Sequence, residues 1–426
     1  MTNAHLSTVH LNATDVRSLL LQDDQGELWV LCPAGRMLDL LEIRRILGRD
    51  LRAALPQPET FDSGSRALLV DEQLLDATAV RLQTGSGMES FARAGFSELV
   101  QGATLQAVSQ PLGPDPASLP ASEDLARIKL SLDKFTDLRL RRRLDETLHI
   151  PPLPEAARRI LELRADPFYE TRDLIKIIEA DPSLASRILG WANSAYYGLR
   201  EPVTSLHDAV MRVLGPSTVL RLALAVTMHQ QLRVPSSHVR GLSPYWLEAM
   251  YCAATMEILA GQLPATEGVD SGLAYMTGLL SNFGTLVIGH VFPPIYQNIC
   301  LLQEANLHLP HCYIDQHCLG TSREMFASEL LRNWALPDQI SAAVRFQQVE
   351  DYHGEHGRYV LLLQLARQML LNDGITGPAA ANSVDAAAER QLAEKLGLQG
   401  AALARVRAAL NRSVEELDGI AGMLGD

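Results

Sequence analysis

The chain has 426 residues, of which 47% are hydrophobic and 20% are charged, the balance of an ordinary globular protein. One hydrophobic core rarely organises so long a chain, so we expect two or three domains rather than one. The formal net charge of -13 weighs against nucleic acid as a partner, because binding to phosphate backbones needs clustered Lys and Arg.

The N-terminal residues MTNAHLSTVHLNATD have neither the cationic lead nor the apolar centre of a signal peptide. No later apolar run approaches the ~20 residues that span a bilayer. We therefore expect a soluble, cytoplasmic protein that does not enter a membrane. The five cysteines are odd in number and have no CxxC spacing, which is typical of reduced, mostly structural thiols.

The first hundred residues predict an α/β domain. Residues 18–32 are two apolar runs around a polar turn, the pattern of a β-hairpin, and residues 38–48 form one helical apolar face that ends at Gly48. Residues 67–84 add two β-rich runs, and FSELVQGA near residue 100 indicates a closing helix. Residues 108–122 are rich in Pro, Ser and Gly, so we predict a domain over 1–107 and a linker over 108–122.

After the linker the apolar residues recur at helical spacing, beginning with residues 123–148. Asp181 is predicted to cap a helix that begins at Pro182 and ends near Gly198. Ser205, with Asp208 three residues later, predicts a second cap.

Two further features complete the helical pattern. Gly215-Pro216 ends the helix that Ser205 caps, and the apolar residues 219–226 that follow predict a buried helix. The tail from residue 377 predicts two amphipathic helices around Gly397 and Gly400, which either cap the bundle or dimerise.

The second half carries a family signature in IPPLPEAARRILEL, DLIKIIEADPSLASRILGWANSAYYG, SLHDAVMRVLGPSTVLRLAL, GLLSNFGTLVI and LLRNWALPDQISAAVRFQQ. Together these segments, over about residues 145–370, closely resemble the HDOD family. The resemblance implies an all-helical fold like that of the HD superfamily, whose enzymes hydrolyse phosphate esters, cyclic dinucleotides among them, with divalent metals. We predict an HDOD helical domain over 123–376 and a C-terminal helical extension over 377–426.

The metal ligands of the HD enzymes are replaced in this sequence. Ser281 and Asn282 stand where the resemblance places the His-Asp pair, and Arg323 stands near the position of a further histidine. Leu247 and Glu248 surround the position of the first histidine, and the run Phe346-Gln347-Gln348 covers another. Neutral side chains and an arginine are poor partners for a divalent cation. We therefore predict no bound metal, no cofactor and no catalysis, and the resemblance implies a regulatory platform for protein partners or ligands.

Other histidines and cysteines do not match a standard zinc site. We favour structural or surface roles for His308, His311, Cys312, His317 and Cys318, for His353 and His356, and for His207 and His290.

The runs from VRSLLLQDDQGELWVLC to FSELVQGA, within residues 10–105, look like the YbaK family of aminoacyl-tRNA deacylases. That family uses a lysine just before the first strand and a Gly-rich loop. Arg17 stands at the lysine position, and PQPETFDSGSRA between residues 55 and 67 retains no such loop. An arginine cannot replace a compact ammonium donor like for like. Gly85-Ser86-Gly87 is a weak phosphate motif, and we favour a hairpin or strand-to-helix turn for these residues.

The predicted fold class is α+β multidomain, with an N-terminal α/β, degenerate YbaK-like domain followed by an all-α, HD-like HDOD domain. The predicted function is non-catalytic signal transduction in bacteria, with a protein or a nucleotide second messenger as partner and a homodimer left open. The alternatives are a residual hydrolase, acting on mischarged tRNA or on a cyclic dinucleotide, and nucleotide binding without hydrolysis.

Overall fold

The structure, a computed structural model, describes residues 13–55, 57–58, 60–62, 67–141, 154–165, 169–193, 199, 201–231, 237–240, 242–377 and 385–425. The chain divides into two compact units. The sheet unit comprises residues 1–120, 237–242 and 294–322, and the helical unit comprises residues 121–236, 243–293 and 323–426.

The strands of the sheet unit are β1 (Ala13–Asp23), β2 (Gly26–Pro33), β3 (Arg36–Leu38), β4 (Arg52–Ala53), β5 (Leu68–Asp71), β6 (Ala79–Thr84), β7 (Gly87–Ala92), β8 (Thr104–Gln106) and β9 (Ser109–Pro111). They form a seven-stranded sheet in the order β7-β6-β1-β2-β5-β8, with β4 beside β1, and a separate β3–β9 pair. β1 and β2 are antiparallel and β6 is parallel to β1. The N-terminal region is therefore an α/β fold, as predicted.

The helices follow in chain order as α1 (Leu40–Leu47), α2 (Arg93–Leu99), α3 (Asp124–Arg141), α4 (Glu155–Ala165), α5 (Thr171–Glu179), α6 (Pro182–Ala192), α7 (Leu206–Asp208), α8 (Pro216–Gln231), α9 (Tyr245–Ala260), α10 (Ser271–Leu279), α11 (Phe283–Val291), α12 (Pro293–Ala305), α13 (His311–Leu319), α14 (Arg323–Asn333), α15 (Asp338–Phe346), α16 (Gly357–Asn372), α17 (Ala386–Lys395) and α18 (Gly400–Gly425). A π-helical turn, Ala209–Leu214, continues α7.

Local signals in the sheet unit predict its elements well. The β1–β2 hairpin closes at Asp23↔Gly26, and Gly85-Ser86-Gly87 proves to be a hairpin turn, with Thr84 paired to Gly87. Helix α1 ends at Gly48, which adopts the left-handed conformation with φ of 62°. That conformation is strained for any residue with a Cβ, so the glycine at this position has a physical reason.

The composition of residues 108–122 predicts a linker, but their first part is folded. Val108 is 1% exposed, and β9 pairs with β3 in an antiparallel ladder. The Val108 N–H donates to Asp71 Oδ2 at 3.0 Å. A Pro- and Ser-rich stretch can serve as a short edge strand when another strand supplies the partners, and composition does not reveal that partner.

Two segments from within the predicted 123–376 domain, 237–242 and 294–322, belong to the sheet unit. They are held there by polar side chains at the end of α12. Glu304, 1% exposed, accepts hydrogen bonds from Arg52 at 2.6 Å and from the Arg240 backbone at 3.0 Å. Arg240 also donates to the Ala53 carbonyl at 2.7 Å. Contacts between segments so far apart in sequence leave no local signal, which is why one continuous domain was predicted.

The helical unit is built on close helix crossings. Helix α9 is apolar nearly all round and packs against α10, where Gly278 lets the two backbones approach. A Cβ at Gly278 would lie 2.6 Å from the Ala253 Cα, which is too close for any other residue without backbone movement. Within the described residues, Ser271–Val291 is long and apolar enough to cross a membrane, but 83% of its apolar window is buried inside the protein, as expected of core helices.

The predicted caps of the helical unit are largely confirmed. Asp181 accepts from the Ser183 and Leu184 N–H groups, and Pro182 is the first residue of α6. Ser205 Oγ accepts from the Asp208 N–H at 3.0 Å. The prediction that α6 ends near Gly198 is wrong, because the helix ends at Ala192 and Gly198 lies outside the described residues.

The tail folds as the two predicted helices, α17 and α18. Helix α18 packs on α9, where the Tyr251 hydroxyl donates to Asp418 Oδ1 at 2.8 Å. Arg407 of α18 also pairs with Asp373 and Glu389 at 2.9 Å. The tail therefore packs on the helical unit, and its role in a dimer stays a prediction.

Candidate functional site

The residue that stands in place of the HD histidine, Ser281, lies in the turn between α10 and α11. The turn follows from the end of α10, where the Ser281 N–H donates to the Gly278 carbonyl at 3.2 Å and α11 begins two residues later. Ser281 is 3% exposed, and its Oγ lies 3.6 Å from Cys252 Sγ on α9. The close approach of α9 at Gly278 thus places the thiol beside the serine.

Gln347, at the C-terminal end of α15, joins Ser281 to two charged residues. Its Nε2 donates to the Ser281 carbonyl at 2.8 Å, and its Oε1 accepts from Arg367 Nη1 at 2.7 Å. Arg367 Nη2 lies 3.7 Å from Glu248 Oε1 on α9. We call these five residues, Cys252, Ser281, Gln347, Arg367 and Glu248, the Ser281 cluster.

The charged and polar groups of the Ser281 cluster have their partners within the cluster itself. Burial raises the pKa of Cys252 to about 11, and the nearby Arg367 charge offsets this only in part. The thiol is therefore protonated at neutral pH, a form that neither binds metal nor attacks as a nucleophile well. The single carboxylate, Glu248, faces Arg367, whose positive charge balances it. Divalent metals in proteins prefer several imidazole or carboxylate ligands, and this cluster offers one carboxylate that already has a cation beside it.

The sequence located part of this cluster. It pointed to Ser281, to Glu248 and to the run containing Gln347, which the structure brings together. Arg367 and Cys252 were missed, since one lies in an ordinary amphipathic helix and the other in an apolar one, with no motif around either.

The remaining predicted positions lie next to the Ser281 cluster or apart from it. Asn282 follows Ser281, and its Oδ1 is buried without a hydrogen-bond partner among the described residues. Arg323 opens α14 and donates to Thr285 Oγ1 at 3.3 Å, on the first turn of α11. A Cβ at Gly284 would fall 2.2 Å from the Arg323 carbonyl oxygen. Arg323 thus belongs to the α11–α14 crossing.

In the sheet unit, Arg17 on β1 serves as a structural contact. Its Nη2 donates to the Ala305 carbonyl at 2.6 Å, at the C-terminal end of α12, and its Nη1 lies 3.4 Å from Asn306 Oδ1. A cation is favourable at a helix C-terminus because the helix dipole places partial negative charge there. Burial and the charge of Arg17 lower the pKa of His308 to about 3, so that imidazole is neutral at physiological pH.

The other histidines and cysteines singled out in the sequence are spread over several elements. His311, Cys312, His317 and Cys318 lie on α13, His207 lies on α7 and His290 on α11. His356 precedes α16 with a positive φ of 60°, and His353 lies in the turn before it.

The protein thus belongs to the class that combines an α/β region with a helical, HD-like domain. The HDOD domain family matches residues 150–349. A protein from Marinobacter aquaeolei VT8, provisionally assigned to signal transduction, has a similar solved structure with a TM-score of 0.82 and 31% identity over 97% of this chain and 94% of that one. The chain belongs to the HDOD family, and the predicted recognition of that domain is confirmed.

Two other relatives are more distant. An HDOD domain protein of unknown function from Geobacter sulfurreducens has a TM-score of 0.53 at 18% identity, over 70% of this chain and 98% of that one, which shows likeness of fold alone. An uncharacterized protein of Treponema pallidum (strain Nichols) is 25% identical over 200 residues, 46% of this chain and 37% of that protein. The chain therefore spans little more than a third of that relative's length.

The raised pKa of Cys252 leads to a direct chemical prediction. At about pH 8, a thiol with a pKa near 11 is ionised in roughly one molecule in a thousand. We expect iodoacetamide to leave Cys252 unmodified in the native protein while labelling the partly exposed Cys318. Peptide mass spectrometry after native labelling measures both sites. Equal labelling of the two cysteines would contradict the burial and protonation of Cys252.

Proposed function

We propose that this HDOD protein is a non-catalytic regulator in bacterial signal transduction, whose helical unit binds a protein partner. The observation that supports the proposal is the Ser281 cluster. Ser281 stands where the resemblance places the HD His-Asp pair, and Gln347 joins it to a balanced Arg367–Glu248 pair. Hydrolysis by such a scaffold requires a metal that polarises the phosphate and activates water. The provisional assignment of the Marinobacter relative to signalling agrees with this role.

The sheet unit is proposed to sense a ligand or to set assembly rather than to deacylate tRNA. That this unit is a degenerate YbaK-like domain remains part of the proposal. Arg17, at the position of that family's lysine, has its guanidinium engaged with the end of α12, which supports a structural role. We also propose a cytoplasmic location, as the sequence predicts, and no nucleic-acid partner, in line with the net charge of -13.

The test measures metal binding and turnover in the full chain. Calorimetry with Mg²⁺, Mn²⁺ and Zn²⁺ is expected to detect no tight site in the helical unit. Assays with bis-p-nitrophenyl phosphate, a cyclic dinucleotide and mischarged tRNA are expected to give no turnover above the uncatalysed rate.

A matched pair of variants assigns any activity that does appear. Glu248→Gln removes the only carboxylate of the Ser281 cluster, whereas Glu257→Gln makes the same change on α9 outside it. Metal-dependent cleavage that Glu248→Gln abolishes and Glu257→Gln leaves intact would overturn the proposal in favour of a phosphohydrolase. Deacylation lost in Arg17→Ala would assign a hydrolase to the sheet unit instead.

A further inference from the structure

The outermost strand of the seven-stranded sheet, β7, has an open edge. It forms an unbroken antiparallel ladder with β6, and among the described residues no strand lies on its other side. Sheet edges are usually protected by a proline, a lysine, a bulge or a very short strand. The sequence GMESFA of β7 contains neither proline nor lysine, and its Met88 is 64% exposed. The edge of β7 therefore remains able to pair with another strand.

The hydrogen bonds of the ladder decide which backbone groups of β7 face outward. The Arg93 N–H, just after the strand, donates to the Thr78 carbonyl at 3.2 Å, so Arg93 faces the side of β6. In an antiparallel ladder, residues whose backbone groups face the partner alternate with residues whose groups do not. The odd-numbered residues of β7 therefore pair with β6. The N–H and C=O groups that face outward are those of Met88, Ser90 and Ala92.

This alternation fits pairing between β7 and the same strand of a second copy. A two-fold axis normal to the sheet makes the two strands antiparallel and keeps the faces of the two sheets aligned. With the axis at Ser90, Met88 pairs with Ala92 of the second copy and Ser90 pairs with its own counterpart, so all the outward groups are used. An axis at Phe91 leaves Met88 unpaired. An axis at Glu89 leaves Ala92 unpaired and sets two carboxylates directly opposite each other, which is destabilising.

The side chains also match in the register centred on Ser90. The exposed Met88 meets Ala92 of the second copy, and Glu89 becomes the diagonal neighbour of Arg93. Diagonal neighbours, about 7–8 Å apart, are within reach of long side chains. The Arg93 side chain is 64% exposed, and its contact with Asp76 is long at 3.9 Å. Opposite charges therefore face each other twice across the axis.

We propose that β7 is the dimer interface of this protein, pairing antiparallel with β7 of a second copy so that the two sheets join into one. The proposal rests on the assembly role proposed for the sheet unit and names its interface. At the far end of the strand order, each copy presents β8, which is three residues long. Because a two-fold contact uses the same surface of both copies, the assembly closes as a dimer.

Sedimentation velocity of the full chain over a concentration series tests the interface. Ser90→Pro removes an N–H that faces away from β6, a position where an edge strand tolerates proline. It deletes both hydrogen bonds at the axis, so we expect the dissociation constant of the dimer to rise at least about tenfold. Ser90→Ala is the matched control, because it changes the side chain and keeps the N–H, and it is expected to dimerise as the wild type does.

Several results would overturn the proposal. They are a wild type that is monomeric up to about 100 μM, a dimer that Ser90→Pro leaves intact, and a dimer that Ser90→Ala weakens as much as Ser90→Pro. Circular dichroism checks that both variants fold.

Disulfide trapping tests the register without disturbing the backbone. The Cα atoms of a hydrogen-bonded antiparallel pair are about 5.5 Å apart, within the range that a disulfide spans. Mild oxidation of Ser90→Cys is therefore expected to give a covalent dimer. Ser97→Cys, at an exposed position on α2, is expected to stay largely monomeric. Cross-linking of Ser97→Cys as complete as that of Ser90→Cys would contradict an axis at Ser90.

The two proposals fail in different ways. A monomeric wild type without hydrolytic activity removes the β7 interface and leaves the regulatory role standing. Metal-dependent hydrolysis at the Ser281 cluster removes the regulatory role whatever the oligomeric state is.

Discussion

Replacing Asn306 with alanine is expected to lower the free energy of unfolding by about 3 kcal/mol or more, since each buried polar group left without a partner costs about 1–3 kcal/mol. Asn306 is 0% exposed. Its Oδ1 accepts from the Leu38 N–H at 2.8 Å, and its Nδ2 donates to the Leu38 carbonyl at 2.9 Å and the Leu302 carbonyl at 2.8 Å. Alanine leaves all three backbone groups buried and unpaired.

The side-chain amide of Asn306 makes the two hydrogen bonds with the Leu38 backbone that a neighbouring strand would make. Its amide pairs with both backbone groups of Leu38, on the side of β3 that does not face β9. Asn306 Oδ1 also accepts from Arg17 Nη1 at 3.4 Å, so this one residue connects the end of α12 to both β1 and β3. Loss of Asn306 is therefore expected to loosen residues 294–322 from the sheet unit as well as to lower its stability.

Urea unfolding of the purified chain measures the effect. Asn306→Asp tests the mechanism, because a carboxylate accepts from the Leu38 N–H but cannot donate to the two carbonyls, and we expect a loss of comparable size. Asn333→Ala is the control, since Asn333 is exposed and makes one long contact with Glu329, and its change should stay within about 0.5 kcal/mol. Equal stability of Asn306→Ala and the wild type would show that these bonds are not formed in solution.

How well the sequence predicted the fold depended on whether the signal was local. The caps at Asp181-Pro182 and Ser205 and the left-handed Gly48 are decided by neighbours within a turn, and they were predicted correctly. The pairing of residues 109–111 with β3 and the placing of residues 294–322 in the sheet unit depend on partners far away in sequence. No periodicity or composition encodes such partners.

The same distinction holds at the candidate site. The resemblance to HD sequences located Ser281, because the motif around it is contiguous. It could not reveal that Arg367, on the last long helix before the tail, completes the cluster through Gln347. The charge balance that favours a non-catalytic role is thus a property of the folded chain.

Two buried residues in the short run RFQQ, at the end of α15, make contacts with different parts of the helical unit. Gln347 reaches the Ser281 cluster, whereas Arg345, two residues earlier, reaches the start of α3. Arg345 is 2% exposed and Asp124 is 1% exposed. Their two hydrogen bonds, Nε to Oδ2 at 2.5 Å and Nη2 to Oδ1 at 2.9 Å, form a bidentate pair. Helix α3 is therefore fixed to the same helix end that supports the candidate site.

Breaking this buried pair is expected to be strongly destabilising. Asp124→Ala leaves the Arg345 guanidinium buried without its carboxylate, a change that typically costs about 3–5 kcal/mol. Urea unfolding measures the loss, and Asp133→Asn, an exposed carboxylate on the same helix, should be close to neutral. The double variant Asp124→Leu with Arg345→Met removes both charges and is expected to recover much of the stability, because apolar side chains of similar volume replace buried ion pairs well. If Asp124→Ala proved as stable as Asp133→Asn, the pair would have to be open to water and α3 would not be anchored by it.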